Sequence, residues 1–553
     1  MSDNSPSIDL GSKVVYQIYI RSFCDSNGDG LGDLRGITSK LDYLKELGVD
    51  CIWITPFFIS PQNDNGYDVA DYRAIDPIYG TMDDFDELSQ EAAARGIGIM
   101  LDMVFNHTST DHEWFQKALS GDPRYLAYYK FVDAAPDATE DNPGEPPTNW
   151  ESKFGGNAWA YVPSLNKWYL HLFDKSQADL NWDNPEVRAQ MADILRFWRA
   201  KGVNAFRFDV VNLISKPEKW ESDDTDGRHF YSDGPHIHEY LQELVQQGDI
   251  VGLMTVGEMS STSIDNCIGY SNPANHELGM TFSFHHLKVD YLNGDKWALM
   301  APDINHLRNL FRAWQEDMTA GGGWNALFWS NHDQPRPNSR FGDTENYWFE
   351  SSTLLPTCTH LMRGTPYIYQ GEELGQTISD FVSIDQYRDV ESHNYYRILQ
   401  ERGHSPEEAF DIVHERSRDD GRYPMAWDGS ENAGFTSGTP WLGIPANHSY
   451  INAADEVADP NSVRAYFKRL IALRKAEKVI QTGDVHFLES ESDKVIAYER
   501  TLGDERVVVQ CNFSGEEQPA LALEGGEVLI SNYDEDAKAD VLRPWEATAL
   551  IWR

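Results

Sequence analysis

Charged side chains stand within a short apolar segment of the sequence, where they are unusual. Arg207 and Asp209 lie two residues apart in residues 204–211 (NAFRFDVV), which predict a buried strand, so both side chains share one face. Charges on the inner face of a buried strand are costly unless they are paired or used in chemistry. Taken alone, the two residues are equally typical of a structural ion pair and of a functional site.

Other predicted strands end in polar residues of the same kind. Asp102, Glu258 and Asp333 each end or follow an apolar segment. His107 and His332 stand close to two of them. A strand-end carboxylate often caps the next helix, which is the simple interpretation of any one residue. Carboxylates, histidines and an arginine at successive strand ends favour a shared reactive pocket instead.

Several carboxylates around one pocket indicate glycoside hydrolysis. A retaining glycosidase needs a carboxylate nucleophile and a protonated carboxyl group about 5 Å apart. Burial or negative neighbours must raise the pKa of the acid. Arg207, on the same strand face as Asp209, would keep that carboxylate ionised and oriented.

Eight apolar segments alternating with amphipathic helical segments must position these side chains. This alternation predicts an α/β fold, a (β/α)8 TIM barrel whose active site lies at the C-terminal ends of the strands. The predicted strands are residues 14–23, 51–58, 97–105, 204–211, 251–259, 278–284, 326–330 and 366–370.

Two regions depart from the strand–helix repeat. The first follows strand three, is rich in Pro, Asn, Asp, Trp and Tyr, and has a length that is usually functional. In the second, near the C-terminus, apolar residues recur with a period of two, which predicts an antiparallel β domain. We expect a catalytic barrel over residues 1–108 and 179–475, an inserted subdomain B over 109–178, and a C-terminal β domain over 476–553.

Composition limits the location and the partners. A formal net charge of −43 over 553 residues argues against nucleic acid and anionic membranes, and predicts a solvated acidic surface, with high-salt adaptation as one reason. No signal pattern and no apolar run of membrane-spanning length are present. Five scattered cysteines without a CxxC pair favour a reducing compartment. We expect a cytoplasmic protein that is a monomer or weak homo-oligomer.

Four segments resemble the sequence blocks of glycoside hydrolase family 13, the α-amylase family. The resemblance covers essentially the whole chain, and it implies that Asp209 is the nucleophile, Glu258 the general acid/base and Asp333 the transition-state stabiliser. The segments are residues 102–107 (DMVFNH), 206–209 (FRFD), 255–258 (TVGE) and 331–336 (NHDQPR), with residues 177–182 (QADLNW) resembling a fifth block.

The same resemblance implies a set of sugar-binding residues. His107 and His332 would bind hydroxyl groups in the cleavage subsite, and Arg207 is grouped with them. Residues 65–68 (NGYD) resemble the platform of subsite −1. There the side chain of Tyr67 would stack on the sugar and Asp68 would bind its hydroxyls.

Residues 417–427 (SRDDGRYPMAW) resemble the SRDNxRTPMQW segment of the oligo-1,6-glucosidase group. By this resemblance Arg422 would pair with Asp68 and close the non-reducing end of the pocket. A closed end implies an exo-acting enzyme that removes one glucose. The sequence departs from the group's segment at Tyr423 and Ala426.

The substrate preference depends on Val210 and on residues 280–290. Val210, after the nucleophile, resembles enzymes acting on α-1,6 or other non-α-1,4 linkages. His285 and Lys288 stand where oligo-1,6-glucosidases carry acids, which changes local charge by up to four units if both are cationic. In so acidic a chain this favours a phosphate on the leaving sugar, with a solvated basic turn as the simple alternative. The candidate phosphate ligands are Lys288, His286 and His285.

Further segments resemble the phospho-α-(1,1)-glucosidases of the family, the trehalose-6-phosphate hydrolases. The implied substrate is a small phosphorylated disaccharide, α,α-trehalose 6-phosphate, which would give glucose and glucose 6-phosphate. An α-1,6-glucosidase acting on isomaltose-type oligosaccharides is the alternative. A non-catalytic relative is a remote one, because all three catalytic carboxylates are present. The segments are residues 228–239, 258–263, 285–291 and 324–329.

Residues 25–33 (DSNGDGLGD) match the first part of a calcium loop. The Glu expected at position twelve is Gly36, so the segment is not an EF-hand. Members of the oligo-1,6-glucosidase group bind calcium here, and the resemblance implies a structural Ca²⁺ far from the chemistry, with a metal-free turn as the alternative. We expect no organic cofactor. The implied ligands are Asp25, Asn27, Asp29, Leu31 and Asp33.

Overall fold

The computed structural model describes residues 9–533 and 540–553. Its strands are β1 (Val15–Ile18), β2 (Cys51–Ile54), β3 (Phe58–Ile59), β4 (Asp71–Ile75), β5 (Gly98–Met103), β6 (His107–Ser109), β7 (Phe131–Asp133), β8 (Trp159–Val162), β9 (Lys167–Leu170), β10 (Gln177–Asp179), β11 (Ala205–Phe208), β12 (Met254–Glu258), β13 (Met280–Phe282), β14 (Ala326–Leu327), β15 (Thr365–Tyr369), β16 (Asp484–Phe487), β17 (Val495–Leu502), β18 (Glu505–Asn512), β19 (Gln518–Pro519), β20 (Glu527–Ser531), β21 (Val541–Leu542) and β22 (Ala547–Trp552).

The α-helices connect these strands. They are α1 (Leu34–Ser39), α2 (Leu41–Leu47), α3 (Met82–Ala94), α4 (Glu113–Leu119), α5 (Pro123–Leu126), α6 (Pro185–Ala200), α7 (Arg228–Tyr231), α8 (Ile237–Gln247), α9 (Ile264–Ser271), α10 (Ile304–Ala320), α11 (Pro337–Phe341), α12 (Trp348–His360), α13 (Val390–Glu401), α14 (Pro406–Arg416), α15 (Asp419–Arg422), α16 (Ala453–Ala458), α17 (Val463–Ala476) and α18 (Lys478–Thr482).

Each predicted barrel strand is present. Seven are shorter than the apolar segments that predicted them, and β15 has the predicted length but begins one residue earlier. The strands belong to one sheet in the order β13-β12-β11-β5-β2-β1-β15-β14. Amphipathic helices such as α6 follow them and bury one apolar face. Gly48 ends α2 with a φ of 103°, the left-handed conformation that a helix-stopping glycine supplies. The predicted α/β class and (β/α)8 barrel are confirmed.

The chain divides into two compact units. Among the described residues, unit 1 comprises Ile54–Gln90 and Ile99–Ser283, and unit 2 comprises Asp9–Trp53, Glu91–Gly98 and Phe284–Arg553. The division drawn from the sequence, into a barrel, an inserted subdomain B and a C-terminal domain with the stated bounds, remains a prediction.

In unit 1, β11 pairs in parallel with β5 on one side and with β12 on the other. The long segment after β5 contains an antiparallel sheet of β7, β9 and β8. Its Trp-rich core packs against Val210 and Leu213, which directly follow β11. The insert therefore rests on the chain segment that carries Asp209.

In unit 2, β14 and β1 both pair in parallel with β15. The last part of the chain forms a five-stranded sheet in the order β16-β17-β18-β22-β20, with antiparallel pairing. The edge strand β16 alternates exposed and buried residues, as a period of two requires, whereas residues 507–512 of β18 are all buried. The predicted C-terminal antiparallel domain is confirmed.

The cysteines and the helices bear on the expected compartment. All five cysteines are buried free thiols. Within residues 9–533 and 540–553, no helix combines the length and the apolar character needed to cross a bilayer.

Candidate active site

Arg207 binds three carboxylates in unit 1. Its fully buried side chain lies on β11, opposite Asp102 of β5 in the strand register. Nη1 donates to Oδ1 of Asp102 at 2.6 Å and to Oδ1 of Asp209 at 2.7 Å. Nη2 donates to Oε2 of Glu258. The ion pair of Arg207 and Asp209 is therefore part of a larger cluster that includes both residues of the predicted catalytic pair.

The carboxyl groups of Asp209 and Glu258 are close neighbours. Each accepts from a terminal nitrogen of the same guanidinium, so their carboxyl groups lie beside one another. A retaining glycosidase needs two neighbouring carboxyl groups of this kind. The side chains of Asp209 and Glu258 are 11% and 13% exposed, so each keeps a small accessible surface for a ligand. This geometry can support a double displacement.

Asp102 is a buried support for this pair, a role that the sequence did not reveal. Burial raises the pKa of Asp102, and the guanidinium of Arg207 opposes that rise. The Tyr67 hydroxyl donates to Oδ2 of Asp102 at 2.8 Å. Asp102 thus links the ring of Tyr67 to Arg207. The strand register could have indicated this role of Asp102, because a carboxylate opposite a buried arginine on the adjacent strand is a natural ion-pair partner for it.

Asp68 and His107 lie beside Tyr67. Asp68 is fully buried, and its carboxylate accepts hydrogen bonds from the Ser60 hydroxyl at 2.8 Å and the Asn63 amide at 2.8 Å. Nε2 of His107 lies 3.0 Å from the carbonyl oxygen of Tyr67. Burial raises the pKa of Asp68 and lowers the pKa of His107. The structure brings these residues together, and their contact with a sugar remains a prediction.

Val210 has a strained backbone immediately after the predicted nucleophile. Its φ and ψ are 36° and 40°, in the left-handed region, where a β-branched residue is rare. Its side chain is buried in the cluster that includes Trp159 and Leu213. Packing against the insert therefore offsets the conformational cost of this backbone. Val210 is also the residue whose type the sequence analysis associated with linkage preference.

In unit 2, two arginines bind Asp333. Nη2 of Arg422 donates to Oδ1 of Asp333 at 2.7 Å, and Nη1 of Arg418 donates to the same oxygen at 3.2 Å. Nε2 of His332 lies 3.2 Å from Oδ2. Burial acts to raise the pKa of Asp389, but Arg418 and Arg422 lower it well below the usual range. Arg418 and Asp389 were not among the predicted site residues, although Arg418 stands in the segment that predicted Arg422.

The predicted partner of Arg422 was Asp68, which belongs to unit 1, and that pair remains a prediction. Within unit 2, Nε of Arg422 also donates to the carbonyl oxygen of His332 at 2.6 Å. Arg422 therefore orients the chain at both His332 and Asp333.

The three candidate phosphate ligands share one 3-10 helix, His285–Lys288. The buried His286 donates from Nε2 to the carbonyl oxygen of Phe328 at 2.8 Å, as a core histidine does. Burial lowers the pKa of His285 and of His286 to about 4. His285 therefore does not meet the condition of being cationic near neutral pH, because its ring is desolvated, and the charge change of up to four units is not reached. The exposed Lys288 carries the positive charge of this helix.

The predicted calcium loop lies in unit 2 and is ordered by its own amides. Oδ2 of Asp25 accepts from the Gly30 amide at 2.8 Å, and Asp33 caps the N-terminus of α1. In the part of the chain that the structure describes, no group of three or more His, Cys, Asp or Glu side chains is placed to hold a metal ion. The side-chain oxygen of Asn27 and the carbonyl oxygen of Leu31 would have to complete a site.

Comparisons with known proteins agree with this geometry. The model of the alpha amylase catalytic-domain family matches residues 17–483. The trehalose-6-phosphate hydrolase of Bacillus subtilis (strain 168) is 48% identical over 546 residues, which cover 97% of this chain and 96% of that protein. The oligo-1,6-glucosidase of Parageobacillus thermoglucosidasius is 45% identical over 554 residues, 97% of each chain. The crystal structure of Bacillus licheniformis trehalose-6-phosphate hydrolase has a TM-score of 0.93 and 48% identity, covering 98% of this chain and 99% of that one.

Proposed function

The chain belongs to the α-amylase family, and from this membership we propose that it hydrolyses α,α-trehalose 6-phosphate to glucose and glucose 6-phosphate. It is an α-glycosidase, and its chemistry is retaining. The observation that supports this chemistry is the attachment of Asp209 and Glu258 to the two terminal nitrogens of Arg207.

Hydrolysis proceeds in two displacements. Asp209 attacks the anomeric carbon of the unphosphorylated glucose, and Glu258 donates its proton to the bridging oxygen, which releases glucose 6-phosphate. Glu258 then removes a proton from water, which attacks the glucosyl ester on Asp209 and releases glucose with its configuration retained. Arg207 keeps Asp209 ionised and oriented in the first step.

The remaining residues position the sugar. Tyr67 is the platform beneath the glucose, and Asp68 beside it binds hydroxyl groups. His107 is assigned to hydroxyl binding by the family resemblance alone, because both of its ring nitrogens already contact Asn106 and Tyr67. Asp333 stabilises the positive charge that develops in the transition state, with His332 as its neighbour. These roles follow from the family resemblance and from the contacts within each unit.

The phosphate selects the substrate through Lys288. Lys288 is exposed on a helix whose two histidines are neutral near pH 7, and it stands in a chain of net charge −43. The negative potential of the whole chain repels a phosphate dianion, so a positively charged side chain close to the binding site is needed to attract it. Relatives named trehalose-6-phosphate hydrolase and oligo-1,6-glucosidase have similar identity to this chain, so the phosphate is the feature to test.

The test compares trehalose 6-phosphate, trehalose and isomaltose under the same conditions. We expect kcat/KM for trehalose 6-phosphate to exceed that for trehalose at least about tenfold, because a charge-assisted contact is worth about 1.5–3 kcal/mol. A preference for isomaltose over both trehalose compounds would instead identify an oligo-1,6-glucosidase.

Replacing Lys288 separates the phosphate contact from the glucose contacts. We expect Lys288→Ala to raise KM for trehalose 6-phosphate about tenfold or more and to leave trehalose hydrolysis nearly unchanged. His285→Gln is the matched control on the same helix, because it replaces a ring that is already neutral. An equal loss on both substrates would show that Lys288 does not bind the phosphate.

We also propose that the loop of residues 25–33 binds a structural Ca²⁺. All candidate donors are oxygen atoms, as Ca²⁺ prefers. A ligand at a hundredfold excess over its Kd stabilises a protein by about 2.7 kcal/mol, so EGTA should lower the Tm by several degrees and Ca²⁺ should restore it. In the Asp29→Ala variant the Tm should not respond to Ca²⁺. Equal Tm values of the wild-type protein with EGTA and with Ca²⁺ would contradict the proposal.

We propose that the enzyme acts in the cytoplasm as a monomer or weak homo-oligomer. Five buried free thiols support a reducing compartment.

A further inference from the structure

Lys216 is a buried cation to which the proposed mechanism gives no role. Its Nζ donates to Oδ2 of Asp179 at 2.8 Å, to Oδ1 of Asn106 at 2.7 Å and to the carbonyl oxygen of Leu213. An ammonium group has three protons, and here each has an acceptor. The side chains of Lys216 and Asp179 are 0% exposed, so this geometry is held rigidly.

The contacts of Lys216 fix the orientation of the Asn106 amide. An ammonium group can only donate, so the atom of Asn106 that faces it must be the oxygen. The amide nitrogen then points away, donates to Oδ2 of Asp179 at 3.1 Å and lies 3.2 Å from Nδ1 of His107. Because that nitrogen can only donate, Nδ1 of His107 must accept.

The ring of His107 is therefore restricted to one tautomer. With Nδ1 as the acceptor, the proton lies on Nε2, which is 3.0 Å from the carbonyl oxygen of Tyr67. The side-chain amide nitrogen of Gln177 also lies 3.2 Å from the ring Nε2, but its two protons go to Oδ2 of Asp64 at 3.0 Å and to the Tyr67 carbonyl at 3.2 Å, so neither is left for Nε2 to accept. The hydroxyl of Tyr67 donates to Asp102, which binds Arg207. A continuous series of contacts thus runs from Lys216 to the guanidinium that binds both catalytic carboxylates.

We propose that Lys216 is a positioning residue: by fixing the Asn106 amide, it selects the Nε2–H tautomer of His107 and sets the position of Tyr67. The inference rests on the proposed glycosidase activity and is independent of which sugar leaves. The competing explanation is that Lys216 only neutralises the buried Asp179, in which case the tautomer of His107 does not depend on it.

Two variants distinguish the explanations. Lys216→Met with Asp179→Asn removes both charges, leaves no unpaired buried ion, and frees the Asn106 amide to turn. Asn106→Asp with Asp179→Asn keeps the size of both side chains and one negative charge beside Lys216, and it presents a carboxylate oxygen to Nδ1, so it requires the Nδ1–H tautomer. Thermal unfolding reports whether each variant is folded.

The direct readout is the ¹⁵N chemical shifts of the His107 ring in histidine-labelled full-length protein, assigned by the signals lost in His107→Gln. We expect Nε2–H in the wild-type protein, Nδ1–H in Asn106→Asp with Asp179→Asn, and a population of Nδ1–H in Lys216→Met with Asp179→Asn. A pure Nε2–H ring in folded Lys216→Met with Asp179→Asn would overturn the inference, whatever the activity.

The second readout is turnover of a chromogenic aryl α-glucoside, which lacks the phosphate. Because small displacements of positioning groups cost up to about 100-fold in rate, we expect kcat to fall about 10- to 100-fold in both variants. A changed tautomer with unchanged kcat would show that His107 does not position Tyr67 and would also overturn the proposal. Failure of the wild-type protein to cleave any glucoside would instead contradict the proposed function, while the tautomer remains measurable.

Discussion

Asp209→Asn should reduce kcat by at least about 10³-fold and leave the fold unchanged, since removal of a catalytic nucleophile costs this much or more. The amide has the shape of the carboxylate, and its oxygen can still accept from Nη1 of Arg207, which now binds Asp209 at 2.7 Å. It cannot form the glucosyl ester. The measurement is the initial rate on trehalose 6-phosphate, with circular dichroism as the control for folding.

Azide distinguishes the two catalytic roles. In Asp209→Ala, azide can enter where the nucleophile stood and should give the inverted β-glucosyl azide. In Glu258→Ala, azide should attack the glucosyl ester on Asp209 and give the α-glucosyl azide, since two displacements retain configuration. Product anomers opposite to these, or an Asp209→Asn rate within tenfold of wild type, would exclude the assignment.

Arg207→Met should impair both stability and catalysis. Arg207 and Asp102 are 0% exposed, and removing one partner of a buried ion pair costs about 3–5 kcal/mol. We expect this loss in urea unfolding, together with a fall in kcat/KM of at least about 10³-fold, because Asp209 and Glu258 lose their common support. Arg207→Lys keeps a charge but not the planar fork, so it should be intermediate.

The stability loss in Arg207→Met should also depend on pH. Burial already raises the pKa of Asp102 above that of an unfolded chain, and loss of the guanidinium removes the group that opposes the rise. The folded variant then binds protons more tightly than the unfolded chain, so its stability decreases as pH rises. We expect a smaller loss at pH 5 than at pH 8. A loss that is independent of pH would mean that Asp102 stays fully ionised without Arg207.

The barrel could be predicted because local patterns encode it. Apolar segments alternating with amphipathic helices define a parallel sheet, and charges that interrupt a buried strand, such as Arg207 and Asp209, stand out from it. The family blocks implied the roles of Glu258 and Asp333, which remain predictions. Strand ends were less predictable, because the apolar segments continue into loops that close the core.

Pairings between distant segments could not be predicted in this way. Lys216 and Asp179 are 37 residues apart, and neither pattern nor spacing links them until the insert folds back onto β6. The charge of His285 could not be decided from the sequence for a related reason. Residue type indicates that a ring can ionise, whereas burial against Trp314 decides that it does not near neutral pH.

Val210, the position that the resemblance links to linkage preference, is also a packing residue of the insert. Its left-handed backbone is tolerated because the side chain is packed in the aromatic cluster of the insert. A smaller residue would relax the backbone but empty the cluster, and a larger one would displace Trp159 or Leu213. New linkage preferences acquired through this residue are therefore evolutionarily constrained: a lineage, or a laboratory selection, that changes it will need compensatory substitutions within the cluster before the gain can be retained.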